Sequence, residues 1–77
     1  MYKQGTLVKI YDFPRIGEIW FGTVMDSKGG FGNVQYTVFP YFMGGFYLVK
    51  YDRLVLAKES EFKKFEDLRK TEEILNG

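Results

Sequence analysis

Cysteine and histidine are both missing from this 77-residue chain. Without cysteine there is no disulfide to staple the fold and no thiolate to act as a nucleophile. Without histidine the commonest general base, the usual zinc ligand and the ordinary pH switch are excluded together. Charge of one sign is scarce as well. Eleven Lys and Arg face ten Asp and Glu, for a formal net charge of +1, whereas polyanion-binding proteins show a stronger basic bias. No apolar run approaches the roughly 18 residues of a membrane span. The opening residues, Met1-Tyr2-Lys3-Gln4-Gly5, lack the pattern of a signal peptide. The expectation is a cytoplasmic, intracellular chain with no membrane segment, cofactor or metal.

Apolar and aromatic residues are plentiful, at 45% and 19%, which is too apolar for disorder. At 9.1 kDa the chain makes one small domain. Such a domain buries only about 60% of its unfolded surface. The composition shifts once, near Ala57. Residues 1–57 hold eight of the nine glycines, both prolines and thirteen of the fifteen aromatics. Residues 58–77 hold eleven of the 21 charged residues.

The first part reads as five strands. Thr6 to Tyr11 is rich in β-branched and aromatic residues, which fit a pleated surface. Asp12-Phe13-Pro14-Arg15-Ile16-Gly17 closes it with turn chemistry. Glu18 to Asp26 is the second strand, with Trp20, Gly22 and Val24 sharing one face. Residues 26–33 form a glycine-rich hairpin loop, since Lys28-Gly29-Gly30-Phe31-Gly32-Asn33 lacks the order of a phosphate-binding loop. Val34 to Phe39 alternates strictly, with Val34, Tyr36 and Val38 inward. Pro40 ends it and Met43-Gly44-Gly45 turns the chain. Phe46 to Tyr51 and Leu54 to Leu56 are the last two strands.

Residues 58–77 read as a helix. Ser60 is the expected N-cap, with Glu61 near the positive end of the dipole. Phe62, Phe65, Leu68 and Leu75 fall on one face. Glu59 with Lys63, and Glu66 with Lys70, are (i, i+4) pairs. An isolated helix of this length is marginal in water, so the stripe must dock on the sheet or on a partner.

Five short strands in about 55 residues suit a small closed barrel, which removes its own edges. Here the segments Gly5-Thr6-Leu7-Val8-Lys9-Ile10, Trp20-Phe21-Gly22-Thr23-Val24, Tyr36-Thr37-Val38 and Tyr51-Asp52-Arg53-Leu54-Val55-Leu56 resemble the Src-homology-3-like small barrels. The Tudor and KOW branches are nearest in pattern. The resemblance covers residues 5–57 and implies a binding function. The first loop has Tyr11, Asp12, Phe13 and Glu18 but no acidic cluster, unlike polyproline-binding relatives. No position marks the aromatic cage by which Tudor domains read methylated side chains. RNA-binding KOW relatives are usually more basic than this chain.

The unusual segment runs from Phe39 to Tyr47, with five aromatics and a methionine in nine residues. A barrel this small has room inside for about a dozen side chains, and the strands already offer that many. Some of Tyr41, Phe42, Met43, Phe46 and Tyr47 are therefore expected at the surface, where such a cluster marks an interface. The plainer alternative is that the C-terminal helix covers them. Trp20 could stack on a ligand, but more simply fills one end of the core beside Gly22. Lys9, Arg15, Lys28, Lys50 and Arg53, interleaved with Tyr11 and Phe31, are the alternative nucleic-acid-binding set, because charge tracks phosphates while rings stack on bases. The acids Asp12, Glu18, Asp26 and Asp52 lie among them. Ser27 and Ser60 have no base nearby in sequence, so no catalytic residue is expected.

The sequence thus predicts a mainly β, five-stranded antiparallel Src-homology-3-like barrel over 1–57, and a helix over 58–77 packed on it. The expected function is a non-enzymatic protein–protein interaction module, a monomer or weak homodimer. In size and style it resembles the small accessory proteins of bacteria and their phages, some of which act by occupying a partner's site. The alternatives are a KOW-like nucleic-acid-binding barrel and a Tudor-like reader.

Overall fold

Alternation in the sequence becomes a single antiparallel sheet in the computed structural model, which describes residues 2–28 and 34–76, with side chains through 72. The strands are β1 (Leu7–Tyr11), β2 (Ile19–Lys28), β3 (Gln35–Pro40), β4 (Tyr47–Lys50) and β5 (Leu54–Leu56). A 3-10 turn, Tyr51–Arg53, separates the last two, and helix α1 (Glu59–Asn76) ends the chain. The sheet order is β4-β3-β2-β1-β5. The expected closure is not among its pairings: β4 and β5 are the two edges. They hold four and three residues, too few to offer each other a long ladder. Tyr2, Phe13, Val34, Met43 and Phe65, each partly buried, pack against the core formed by the strands' buried residues.

Strict alternation builds that core. Val8 and Ile10 of β1, Trp20 and Val24 of β2, Tyr36 and Val38 of β3, Val49 of β4 and Leu54 of β5 are all buried on one face. Gly22 stands in their midst for a steric reason. A Cβ there would lie 2.8 Å from Val38 Cγ1 and 2.9 Å from the Phe39 carbonyl oxygen. Its missing side chain therefore makes room for β3 and Ile10. A bulge between Val24 and Asp26 shifts the β2–β3 register, and the pairing continues to Lys28, two residues beyond the expected end. Pro40 does not stop β3 but completes it, buried and opposite Gly22.

The second face of the sheet carries a smaller apolar layer under α1. Phe21, buried, meets Phe62 and Phe65 at ring-centroid distances of 6.0 and 4.9 Å. The helix begins at Glu59, not after Ser60. The Lys58 N–H donates to the Glu61 carboxylate (3.1 Å) and the Phe62 N–H to the Lys58 carbonyl (3.1 Å). Lys58 is thus the cap position, and Glu61 three residues on supplies the reaching carboxylate of a capping box. Glu61 also accepts from Lys9 Nζ at 2.8 Å, pinning the first turn to β1. That hydrogen bond raises the Lys9 pKa and, with the Lys58 N–H, lowers the Glu61 pKa. Glu66 and Lys70 pair at 3.6 Å, and Arg69 pairs with Glu72 at 3.1 Å. The expected Glu59–Lys63 pair is not formed among the described residues. Leu68 departs from the expected docked stripe and is 65% exposed.

Candidate interaction surface

The turn from Tyr41 to Phe46 reverses the chain with three left-handed residues, Phe42 (φ 66°), Gly44 (φ 71°) and Gly45 (φ 84°). Glycine tolerates this backbone freely. A bulky aromatic at positive φ is strained, and such strain collects at functional segments. Tyr41 anchors the start of the turn. The Trp20 indole N–H donates to the Tyr41 carbonyl (2.7 Å), the Tyr41 N–H donates to the Phe21 carbonyl (3.0 Å), and Thr23 Oγ1 donates to the Tyr41 hydroxyl (2.9 Å). The Tyr41 ring lies 4.6 Å from Phe62.

The five hairpin residues expected at an interface therefore divide. Tyr41 is half-buried under α1, and Met43 packs against the core. Phe42, Phe46 and Tyr47 are exposed at 52%, 62% and 43%. The Phe46 ring rests on Phe39 (5.4 Å), and Tyr47 stands edge-on to Phe13 (5.2 Å). Leu48, which sequence reading did not single out, is 57% exposed. Its signal was present: it precedes Val49, the buried residue of β4, so alternation turns Leu48 outward. Phe39, Phe46 and Leu48 thus share the outer face beside a sheet edge, and Tyr47 projects from the other side.

The basic residues of the nucleic-acid alternative do not gather. Lys9 is engaged by Glu61. Arg53 Nη2 donates to the Asp12 carbonyl at 2.6 Å. Gln35 pairs with Lys28 on one side and Lys50 on the other, so those two lysines lie in one row across the sheet. Arg15 precedes the opposite end of β2. Tyr11 is half-buried, and Phe31 lies outside the described residues. Trp20, at 6% exposure with its N–H satisfied, is built into the fold. Among the described residues no group of three acids could hold a metal ion, and no helix is long and apolar enough to cross a membrane.

Compared with known proteins, the chain matches no protein-family model, no curated protein and no solved structure.

Proposed function

We propose that this chain is a small non-enzymatic protein-binding module that docks on a larger partner through its hairpin, in the manner of an accessory protein occupying its partner's site. The observation that carries the reading is the pair Phe46 and Leu48, 62% and 57% exposed on the outer face at the β4 edge beside Phe39, with Phe42 and Tyr47 also exposed on the same hairpin. Exposed apolar residues scattered singly need no explanation, but a group beside an edge does. Aromatic residues are also the commonest anchors of interface energy. The small-barrel reading of the fold has its own support: the turn Tyr51–Arg53 with Asp52 precedes a Leu-containing last strand, Leu54–Leu56, as the resemblance implies.

The test is capture of partners from a lysate of the source cells, with and without nuclease, by the native chain and by the Phe46→Ala/Leu48→Ala double variant. A protein retained after nuclease treatment by the native chain, and lost with the variant, supports the proposal. Retention that vanishes with nuclease or with moderate salt moves the function to the Lys28–Lys50 row, because only polyanion binding falls steeply with salt.

A further inference from the structure

A cleft of about 470 Å³ opens at the start of β2, at the opposite end of that strand from Lys28. Three elements far apart in sequence wall it. The β1–β2 loop supplies Pro14, Arg15 and Glu18, and β2 supplies Ile19 and Trp20. Met43 of the hairpin turn and Arg69 of α1 complete it.

The cleft is held in shape before anything enters. Within the loop, the Gly17 N–H donates to the Asp12 carboxylate (2.8 Å), the Phe13 N–H to the Glu18 carbonyl (3.2 Å), and the Glu18 N–H to the Arg15 carbonyl (3.1 Å). Arg53 ties the loop to the 3-10 turn through the Asp12 carbonyl. The Trp20 ring is fixed by its hydrogen bond to Tyr41. A wall already ordered spares the cost of ordering it on binding.

The charges of the lining select the occupant. The Arg69 guanidinium lies over the Trp20 ring, 4.1 Å from its centroid. Stacking occupies the face of a guanidinium and leaves its N–H edge for hydrogen bonds. One N–H is used by exposed Glu72, out of the five that arginine carries. Arg15, exposed on the loop, makes no ion pair among the described residues. Within the lining two guanidiniums stand against the single carboxylate of Glu18; Glu72, outside it, already pairs with Arg69 and leaves Arg15 as the lining cation with no ion pair among the described residues. That suits one carboxylate. It is too little for a polyanion, and it repels a basic or methylated-lysine side chain. The remaining lining, Pro14, Ile19 and Met43, is apolar, with Ile19 48% exposed.

We propose that this cleft binds an acidic peptide segment of a partner protein. A single Asp or Glu carboxylate is held by Arg15 and Arg69, and a neighbouring aliphatic side chain lies on Ile19 and Met43. Arginine forks match carboxylates bidentately, which gives the contact its geometry. The site is distinct from the exposed hairpin residues Phe46 and Leu48 and does not depend on their role.

The probes are an acetylated and amidated hexapeptide holding one Glu-Leu pair among alanines, its Gln-Leu analogue, and single-stranded oligothymidylate. Binding is followed by amide chemical shifts, with fluorescence of the only tryptophan as a second readout. The Glu-Leu peptide is expected to shift resonances of Ile19, Trp20 and the β1–β2 loop, and the Gln-Leu analogue to bind about tenfold more weakly. Arg15→Gln and Arg69→Gln should each weaken the peptide at least fivefold. Arg15 is exposed on the loop, so its variant should melt with the native chain and separate binding from folding. The Phe46→Ala/Leu48→Ala variant should bind the peptide as the native chain does, so the failure of either surface is read independently. Equal affinity for the two peptides overturns the proposal. So does unchanged affinity in Arg15→Gln, shifts confined to other surfaces, a response to oligothymidylate alone, or no response at millimolar peptide.

Discussion

The Trp20 indole N–H and the Tyr41 carbonyl, 2.7 Å apart, join the start of β2 to the turn after β3. This one bond decides the roles of two residues that chemistry alone leaves ambiguous. Trp20 is held with its polar edge satisfied inside the protein, and Tyr41 is held where Phe62 can lie on its ring. Phe65 then meets Trp20 edge-on at 4.9 Å and Phe42 at 6.0 Å. Sheet, turn and helix are therefore fastened by one chain of rings. Phe46 lies outside that chain, its ring against Phe39.

Gly22 is the tightest point of the sheet. A methyl group there would press on the Phe39 carbonyl at 2.9 Å and on Ile10 Cδ1 at 3.2 Å, besides Val38. A main-chain oxygen inside a paired strand cannot step aside as a side chain can. Gly22→Ala should destabilise by about 1–3 kcal/mol. The melting midpoint should fall by at least about 4 °C in a domain of this size. Gly17, with nothing within 4 Å but a φ of 88°, is the contrasting case: its cost is backbone strain without a clash. A Gly22→Ala chain that melts with the native one refutes the packing account.

Phe65 touches Phe21, Trp20 and Phe42, whereas Phe62 touches Phe21 and Tyr41. Both rings are half-buried, so each truncation should cost less than the 3–5 kcal/mol of a fully buried phenylalanine. Phe65→Ala should cost about 2 kcal/mol and Phe62→Ala less. The double variant approaches the whole stability available to so small a domain. Chemical denaturation followed by helical circular dichroism measures this directly. Equal losses for the two rings would contradict the contacts.

The fold was legible where local chemistry is periodic. Alternation put Trp20 and Val24 on one face and Tyr36 and Val38 inward, and all four are in the core. The closed barrel expected from strand number is not among the pairings, because closure depends on how the two edges meet and not on any residue's preference. Ser60 looked like a cap, yet Glu61 reaches back to Lys58 and also meets Lys9. The Lys9 contact spans 52 residues and leaves no sequence signal. The candidate site was legible as a segment but not residue by residue. Composition marks Phe39 to Tyr47 as overloaded with rings. Only the helix decides that Tyr41 is covered while Phe46 is not.

The Lys9–Glu61 pair sets a pH dependence. Its hydrogen bond lowers the Glu61 pKa, so the stability it contributes is present above the unfolded value, about 4.3, and is lost as pH falls through the folded value. The Lys9 pKa is raised, so its contribution is present below the unfolded value, about 10.4, and is lost as pH rises through the folded value. Glu61→Gln should therefore melt below the native chain near pH 7. The gap should narrow as the native carboxylate is protonated. A gap of constant size from neutral pH down to about pH 2 would show that the ion pair contributes nothing.

The interface itself is tested by contrasting Phe46 with Tyr41. Phe46 is 62% exposed, and its only ring partner among the described residues is Phe39. Truncating it removes little from the folded chain, and the same holds for Leu48 at 57% exposure. Tyr41 is held by Thr23, Phe62 and the helix packed over it. Phe46→Ala and Leu48→Ala should therefore weaken capture of the partner while shifting the melting midpoint by only a few degrees. An anchoring side chain typically carries 2 kcal/mol or more, which is about thirtyfold in affinity. The loss should be nearly the same in low and high salt, because apolar docking releases no counterions. Tyr41→Ala should do the reverse, lowering the melting midpoint while binding persists at temperatures where the variant is folded. Lys28→Ala and Lys50→Ala should change neither. If the lysine variants abolish capture and the Phe46 and Leu48 variants do not, the partner reads the charged row at the far end of β2 rather than the hairpin.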